Sequence, residues 1–367
     1  MVKKIGGILG FAVLAVFILG VAFFQSRSLQ NFVFYKTGLT PKEIFNLNGK
    51  INSSTPTDTS QARVELLREI DSFMKNSVKE EGFSMKPYAL VKIRLDQALA
   101  EIPKTTVPAG KIKIWYIYDM GLIVKSDTAT VAFDLSSTSV YRNMKDFAKY
   151  VDILIISHYH GDHFDLAVVR EVLKNGGTII GSNDKVILTG GQFAKNPDGG
   201  EAIGLIKRRN NITSENFISL TPLTKTMVKG VEITAYPANH MYNPESDPDP
   251  NIGNTPANWY YVSIAGKNLL FAGDSHSFDK NPDFFSRKVD VFIEHYVDPK
   301  TTDDFLKLVP NVGLILPLHV YELLHGSGIT EYMSYKNMLE EFSNGYLKQD
   351  GVNIRFMPLI WGESFEL

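Results

Sequence analysis

The chain has no cysteine among its 367 residues. That excludes disulfides, iron–sulfur clusters, thiolate zinc sites and an acylated lipoprotein anchor. Net charge is also scarce: 38 Lys and Arg stand against 40 Asp and Glu, a formal charge of -2. No basic field is present to draw in a nucleic-acid backbone, so no nucleic-acid partner is expected. Residues 190–200 are glycine-rich but lack both the phosphate-loop lysine pattern and the dinucleotide fingerprint. No Gly-x-Ser-x-Gly elbow offers a nucleophilic serine. The 44% hydrophobic and 21% charged composition is that of an ordinary globular protein. Its length suits one large domain with an accessory segment, or two domains.

What is present is the stretch Ser157-His158-Tyr159-His160-Gly161-Asp162-His163-Phe164-Asp165. It reads His-x-His-x-Asp-His-x-Asp. His158, His160, Asp162 and His163 can all ligate a metal, and they fall within one short turn. The apolar run Ile153-Leu154-Ile155-Ile156 before it reads as a buried central strand. Residues 166–174 after it read as a helix. The cluster therefore lies at the C-terminal end of a strand, where an α/β sheet places its ligand crevice. Imidazole nitrogens with a carboxylate oxygen suit Zn2+, and also Mn2+ or Fe2+.

Ahead of the motif, Lys3 and Lys4 precede an uncharged apolar run at residues 5–24. At about 1.5 Å per residue it would cross a hydrocarbon core of about 30 Å. It reads either as an uncleaved signal anchor with its N-terminus inside, or as a signal peptide cut after Gly20 and Ala22. Its length and the bulky Phe23 and Phe24 favour the anchor. The expected location is accordingly membrane-anchored with an extracytoplasmic catalytic domain, or secreted or periplasmic after cleavage. Residues 29–110 form an accessory helical segment, following residues 1–28 as the anchor or signal. Within it residues 46–60, rich in Asn, Ser, Thr and Pro, read as a loop. Residues 61–75 read as a helix with Val64, Leu67, Ile70 and Met74 at helical spacing. A second helix runs over residues 87–100, with Pro87 in its first turn.

Residues 111–367 form the catalytic domain. Strands are expected at residues 111–118, 121–124 and 130–133, the last ending at Asp134. A further strand at residues 178–181 continues the alternation of strand and helix. Residues 227–236 read as a strand leading to His240. Residues 241–258 read as a long loop beside the substrate cleft. Residues 259–262 and 268–271 read as paired strands turned at Ala265-Gly266-Lys267, leading to Asp274. Residues 289–293 and 313–317 are buried strands followed by His295 and His319, and residues 351–367 close the fold. His295 reads either as a residue reaching the cleft or as a packed surface histidine.

The motif and these strand-end residues resemble the metallo-β-lactamase superfamily. The resemblance implies a four-layer αββα sandwich of α/β (α+β) class, preceded here by the helical segment and anchor. It implies two metal ions, with His158, His160 and His240 at the first and Asp162, His163 and His319 at the second. Asp274 would bridge them, and Asp134 would support the ligands from behind. Such a pair would activate a shared water as nucleophile. Asp162 and Asp274 are therefore the candidate catalytic residues, with Asp165 orienting a ligand histidine or assisting proton transfer. The local wording is most similar to the branch of ascorbate-6-phosphate lactonases and N-acyl-phosphatidylethanolamine phospholipase D. Glu294-His295 departs from that branch's small residues. The expected activity is zinc-dependent hydrolysis of a phosphodiester or lipid-like substrate, with a lactonase or amidase on a small cyclic ester or amide as the alternative. A redox protein or a non-catalytic binding module on the same fold is the reading from another class. Histidine rather than glutamate at position 160 and the lack of a flavodoxin-like domain count against redox chemistry.

Overall fold

The computed structural model describes residues 42–58, 60–79, 86–136, 141, 143–159, 161–182, 215–240, 256–278, 286–295, 312–321, 334–336, 338–339 and 355–367. The apolar run at residues 5–24 and residues 241–255 of the expected loop lie outside them, and residues 256–258, read as the end of that loop, instead open a strand. Among the described residues no helix is long and apolar enough to cross a membrane.

Three helices come first: α1 Lys42–Ser53, α2 Gln61–Lys79 and α3 Lys86–Glu101. The first corrects the sequence reading, which made residues 46–60 a loop. Asn46, Asn48, Gly49 and Asn52 are poor helix formers, but Ile44, Leu47 and Ile51 share one face and are buried. Burial of that face outweighs intrinsic propensity. In α2 the expected Leu67, Ile70 and Met74 are buried. In α3 the buried face is Tyr88, Leu90, Val91, Leu95 and Ala98, with Arg94 among them.

Two sheets follow. In the first, β1 Lys113–Tyr118, β2 Gly121–Lys125 and β3 Thr130–Phe133 run antiparallel. From β3 the sheet continues in parallel through β4 Ile153–Ile155, β5 Thr178–Ser182 and β6 Phe217–Leu220. Helices α4 Met144–Ala148 and α5 Leu166–Lys174 belong to its crossovers. The second sheet repeats this plan. Its antiparallel part is β7 Lys225–Val228, β8 Val231–His240, β9 Pro256–Ile264 and β10 Lys267–Phe271. Its parallel part runs from β10 through β12 Val291–His295 and β13 Leu314–Leu318 to β14 Arg355–Phe356. β11 Ser275–Phe278 pairs with β8, and β15 Ser364–Glu366 returns to the first sheet beside β1. The single strand expected at residues 227–236 is thus a hairpin. Lys229 and Gly230 both take positive φ, 48° and 79°, the geometry a two-residue hairpin turn requires.

One apolar cluster joins the helices to both sheets. It holds Ile44, Leu67 and Leu90 with Trp115, Val131 and Leu154 of the first sheet and Val262, Ile293 and Leu316 of the second. Phe133 and Phe271, the last residues of β3 and β10, meet with ring centroids 4.8 Å apart. That contact brings the two strand ends face to face. A second cluster, with Trp259, Leu270, Phe292 and Ile315, lies on the other face of the second sheet. The helical layer expected over that face lies outside the described residues.

Polar contacts fasten the helices as well. Arg63 of α2 donates from both terminal nitrogens to Glu363, at 2.7 and 2.6 Å, and to the Pro358 carbonyl at 3.0 Å. Both side chains of this pair are 3% exposed. Arg94 Nε donates to the Trp361 carbonyl at 3.0 Å. Removing one member of a buried pair strands the other charge, at a cost of about 3–5 kcal/mol. Arg63→Ala is therefore expected to lower the unfolding free energy by about that amount, read from urea denaturation curves.

Candidate metal centre

The candidate residues gather where the strands end. Asp134 follows β3, His158 to His163 follow β4, Asp274 follows β10, His295 ends β12 and His319 follows β13. His240 ends β8, its backbone opposite Ser275 of β11. The side chain of His240 and the whole of His160 lie outside the described residues. Asp162, His163, Asp274 and His319 each offer an atom to one group spanning no more than 4.8 Å.

Asp274 sits between histidines. Its Oδ2 lies 2.9 Å from His163 Nε2 and 4.0 Å from His158 Nε2. Its Oδ1 lies 3.6 Å from His319 Nε2 and 3.8 Å from His295 Nε2. Asp162 Oδ2 is 3.3 Å from His163 Nε2 and 3.9 Å from His319 Nε2. All of these side chains are buried or nearly so. His295, left open by sequence, reaches the cluster, and its ring centroid is 4.2 Å from that of His319. Its approach was hidden because residue spacing along the chain says nothing of how β12 and β13 pair.

Behind the cluster lies Asp134, with no exposed surface. Its Oδ1 accepts the Ser157 amide at 2.7 Å, and its Oδ2 lies 2.7 Å from His163 Nδ1. The Ser157 hydroxyl also donates to Oδ2 and lies 3.0 Å from His158 Nδ1. A carboxylate only accepts, so a proton sits between Asp134 and His163 Nδ1. His163 Nε2 is left to face Asp162 and Asp274. Ser157 passes the same instruction to His158. Asp165, expected to orient a ligand histidine or assist proton transfer, is the N-cap of α5. Its Oδ1 accepts from the Ala167 amide at 2.7 Å and the Val168 amide at 3.4 Å.

Electrostatics tests whether these residues suit a cation. Burial alone would drive His163 toward its neutral form, but Asp274, Asp162 and Asp134 hold its pKa well above the usual imidazole value. Burial works to raise the carboxyls of Asp162 and Asp274, yet His163 and His319 pull both below the carboxylate range. At Asp134 burial prevails and its pKa is raised, against the pull of His163 and Ser157. The cluster thus calls for positive charge at its centre. With the imidazoles of His158, His163, His295 and His319 and the carboxylates of Asp162 and Asp274 facing that centre and no sulfur, the donor set fits a divalent metal.

Local chain geometry keeps the site in place. Asp134 and His319 hold positive φ, 39° and 69°, a conformation few residues other than glycine adopt. Ser136 donates to the Gly161 carbonyl at 2.7 Å and so fixes the motif turn. Asn258 of β9 donates its backbone N–H to the Ser157 carbonyl at 3.1 Å. Gly273, at φ 55°, packs so close that a Cβ there would lie 2.5 Å from Ser157 Cβ.

Residues 133–302 match the model of the beta-lactamase superfamily domain. That span holds every cluster residue named above except His319. Solved structures similar to this chain include Igni18, a metallo hydrolase from Ignicoccus hospitalis, at 15% identity and a TM-score of 0.46, covering 70% of this chain and 98% of that one. The metallo-beta-lactamase fold protein YhfI from Bacillus subtilis is 15% identical with a TM-score of 0.44, covering 70% and 99%. An isothiocyanate hydrolase from Delia radicum gut bacteria is 18% identical with a TM-score of 0.46, covering 69% and 98%. No curated protein matches the chain.

Two outcomes follow from this geometry. Asp134→Asn puts an amide where a carboxylate sets the His163 tautomer, and metal affinity is expected to fall about 10–100-fold in a chelator competition. Gly273→Ala forces Ser157 and the Asp274 turn apart, so it is expected to lower both metal content and the melting temperature of the purified protein.

Proposed function

We propose that this chain is a metal-dependent hydrolase that holds two divalent ions, zinc first among them, at the His158–Asp162–His163–Asp274–His319 cluster. The observation that carries the reading is the buried pair Asp162 and Asp274, both drawn to His163, with Asp134 fixing the proton on the far side of that ring. His160 and His240 complete the ligand set. Metals bound there supply Lewis acidity and a nucleophile at neutral pH.

The chain's own residues do the rest. Asp134 and Ser157 keep protons on the outward nitrogens of His163 and His158, so that the inward nitrogens stay available as donors. Asp274 links both sides of the cluster through its two oxygens. The burial of His158, His163, Asp274 and His319 keeps the local dielectric low, which strengthens every charge interaction at the centre.

A phosphodiester or lipid-like substrate is part of the proposal, along with membership of the phospholipase- and lactonase-like branch. The apolar run at residues 5–24 supports it, since a signal anchor there would hold the catalytic domain beside a membrane on the outer side. The test uses the purified full-length protein. Elemental analysis is expected to give two zinc ions per chain, and phosphodiester or phospholipid hydrolysis is expected to exceed lactone hydrolysis. Asp274→Ala should cut the rate by more than the about 10–100-fold typical of outer partners. Metal removal by a chelator should lower the melting temperature and its restoration should recover it. Absence of metal, or activity indifferent to Asp274, overturns the hydrolase reading; lactone hydrolysis alone overturns only the substrate.

A further inference from the structure

The backbone around His319 is held in an unfavourable shape at two places. His319 has φ 69° and Tyr321 has φ 55°. Neither residue is glycine, so neighbouring contacts must maintain both conformations. On one side the His319 amide donates to the Asp119 carbonyl at 3.1 Å. On the other, the Tyr321 hydroxyl donates to Asp71 Oδ1. Asp71 belongs to α2, 250 residues earlier in the chain.

Asp71 binds more than Tyr321. Its Oδ1 also accepts the Tyr335 amide at 3.0 Å, and its Oδ2 accepts the Lys336 amide at 2.5 Å. One carboxylate therefore ties the stretch just past His319 to the start of the helical turn at Tyr335. The Tyr321 ring is wedged there, 5.8 Å from the Tyr335 ring and 6.4 Å from that of Trp361. Tyr335 in turn donates its hydroxyl to the Leu359 carbonyl at 2.9 Å. Tyr321 and Tyr335 are both buried. Pure packing of α2 against the core would need none of this. Leu67, Ile70 and Met74 already supply an apolar face, and Arg63 supplies a buried ion pair.

We infer that Asp71 is a positioning residue for the metal centre: through the Tyr321 hydroxyl it holds the turn that presents His319 to Asp162 and Asp274. The accessory helices are thereby part of the metal site. His319 is the cluster member nearest this clamp and lies outside the matched superfamily span. This inference rests on the metal reading above and adds the element that supports its final ligand.

The test compares full-length wild type with Asp71→Ala, Tyr321→Phe and the double variant. Ile70→Val is the control, since it loosens the same helix one residue away without touching the carboxylate. Zinc affinity is measured by chelator competition and stability by thermal melting. Tyr321→Phe keeps the ring and removes only the hydroxyl, so it decides the matter if Asp71→Ala does not fold. Each single variant is expected to weaken the more loosely held zinc about 10-fold. The double variant should lose no more than the worse single one, because both changes cut the same link. Ile70→Val should lower the melting temperature and leave zinc affinity unchanged. Wild-type zinc affinity in Tyr321→Phe and Asp71→Ala, or an equal loss in Ile70→Val, overturns the inference and leaves the metal reading standing. A wild type that binds no zinc overturns both.

Discussion

Three carboxylates converge on one imidazole. Asp134 meets His163 from behind, and Asp162 and Asp274 meet it from the front, all within 3.3 Å of its ring nitrogens. In a buried setting such a group is stable only if positive charge is supplied where the front oxygens meet. Much else in the fold answers that demand. The Phe133–Phe271 contact aligns the strands that carry Asp134 and Asp274. Positive φ at Asp134 and His319 turns each side chain to its place. Gly273 lets the Asp274 turn close onto Ser157.

The two sheets share one plan, an antiparallel part that gives way to a parallel run. Asp134 and Asp274 occupy corresponding places, each after the strand where the parallel run begins. The histidine motif after β4 and His295 at the end of β12 occupy the next pair of places. Parallel neighbours end on the same side, so a strand-end residue in one sheet meets its counterpart from the other at a common edge. His295 follows from this arrangement as directly as His163 and Asp274 do.

Much of this was legible in the sequence. The apolar run of β4 and the amphipathic α5 flank the histidine motif, and each announces itself by period. The β9–β10 hairpin was legible from Ala265-Gly266. Helix α1 was not, because its asparagines and Gly49 argue for a loop and only the tertiary burial of Ile44, Leu47 and Ile51 decides otherwise. The β7–β8 turn was missed because Lys229-Gly230 interrupts an otherwise unbroken strand pattern. At the site, the resemblance supplied the candidate ligands, and Asp165, directly ahead of the residues read as a helix, stood where an N-cap is expected. The Asp71–Tyr321 link spans a separation that no periodicity can report.

Residues 358–363 receive Arg63 and Arg94, and the strands on either side of them belong to different sheets. Arg63 and Arg94 therefore lack these partners until the segment around Glu363 has been made. During synthesis these early helices wait, with two arginines destined for burial still in water. Such long-range closure makes for slow, late folding. The helices at residues 42–101 and the segment at residues 358–363 are thus completed together, neither in its final place without the other.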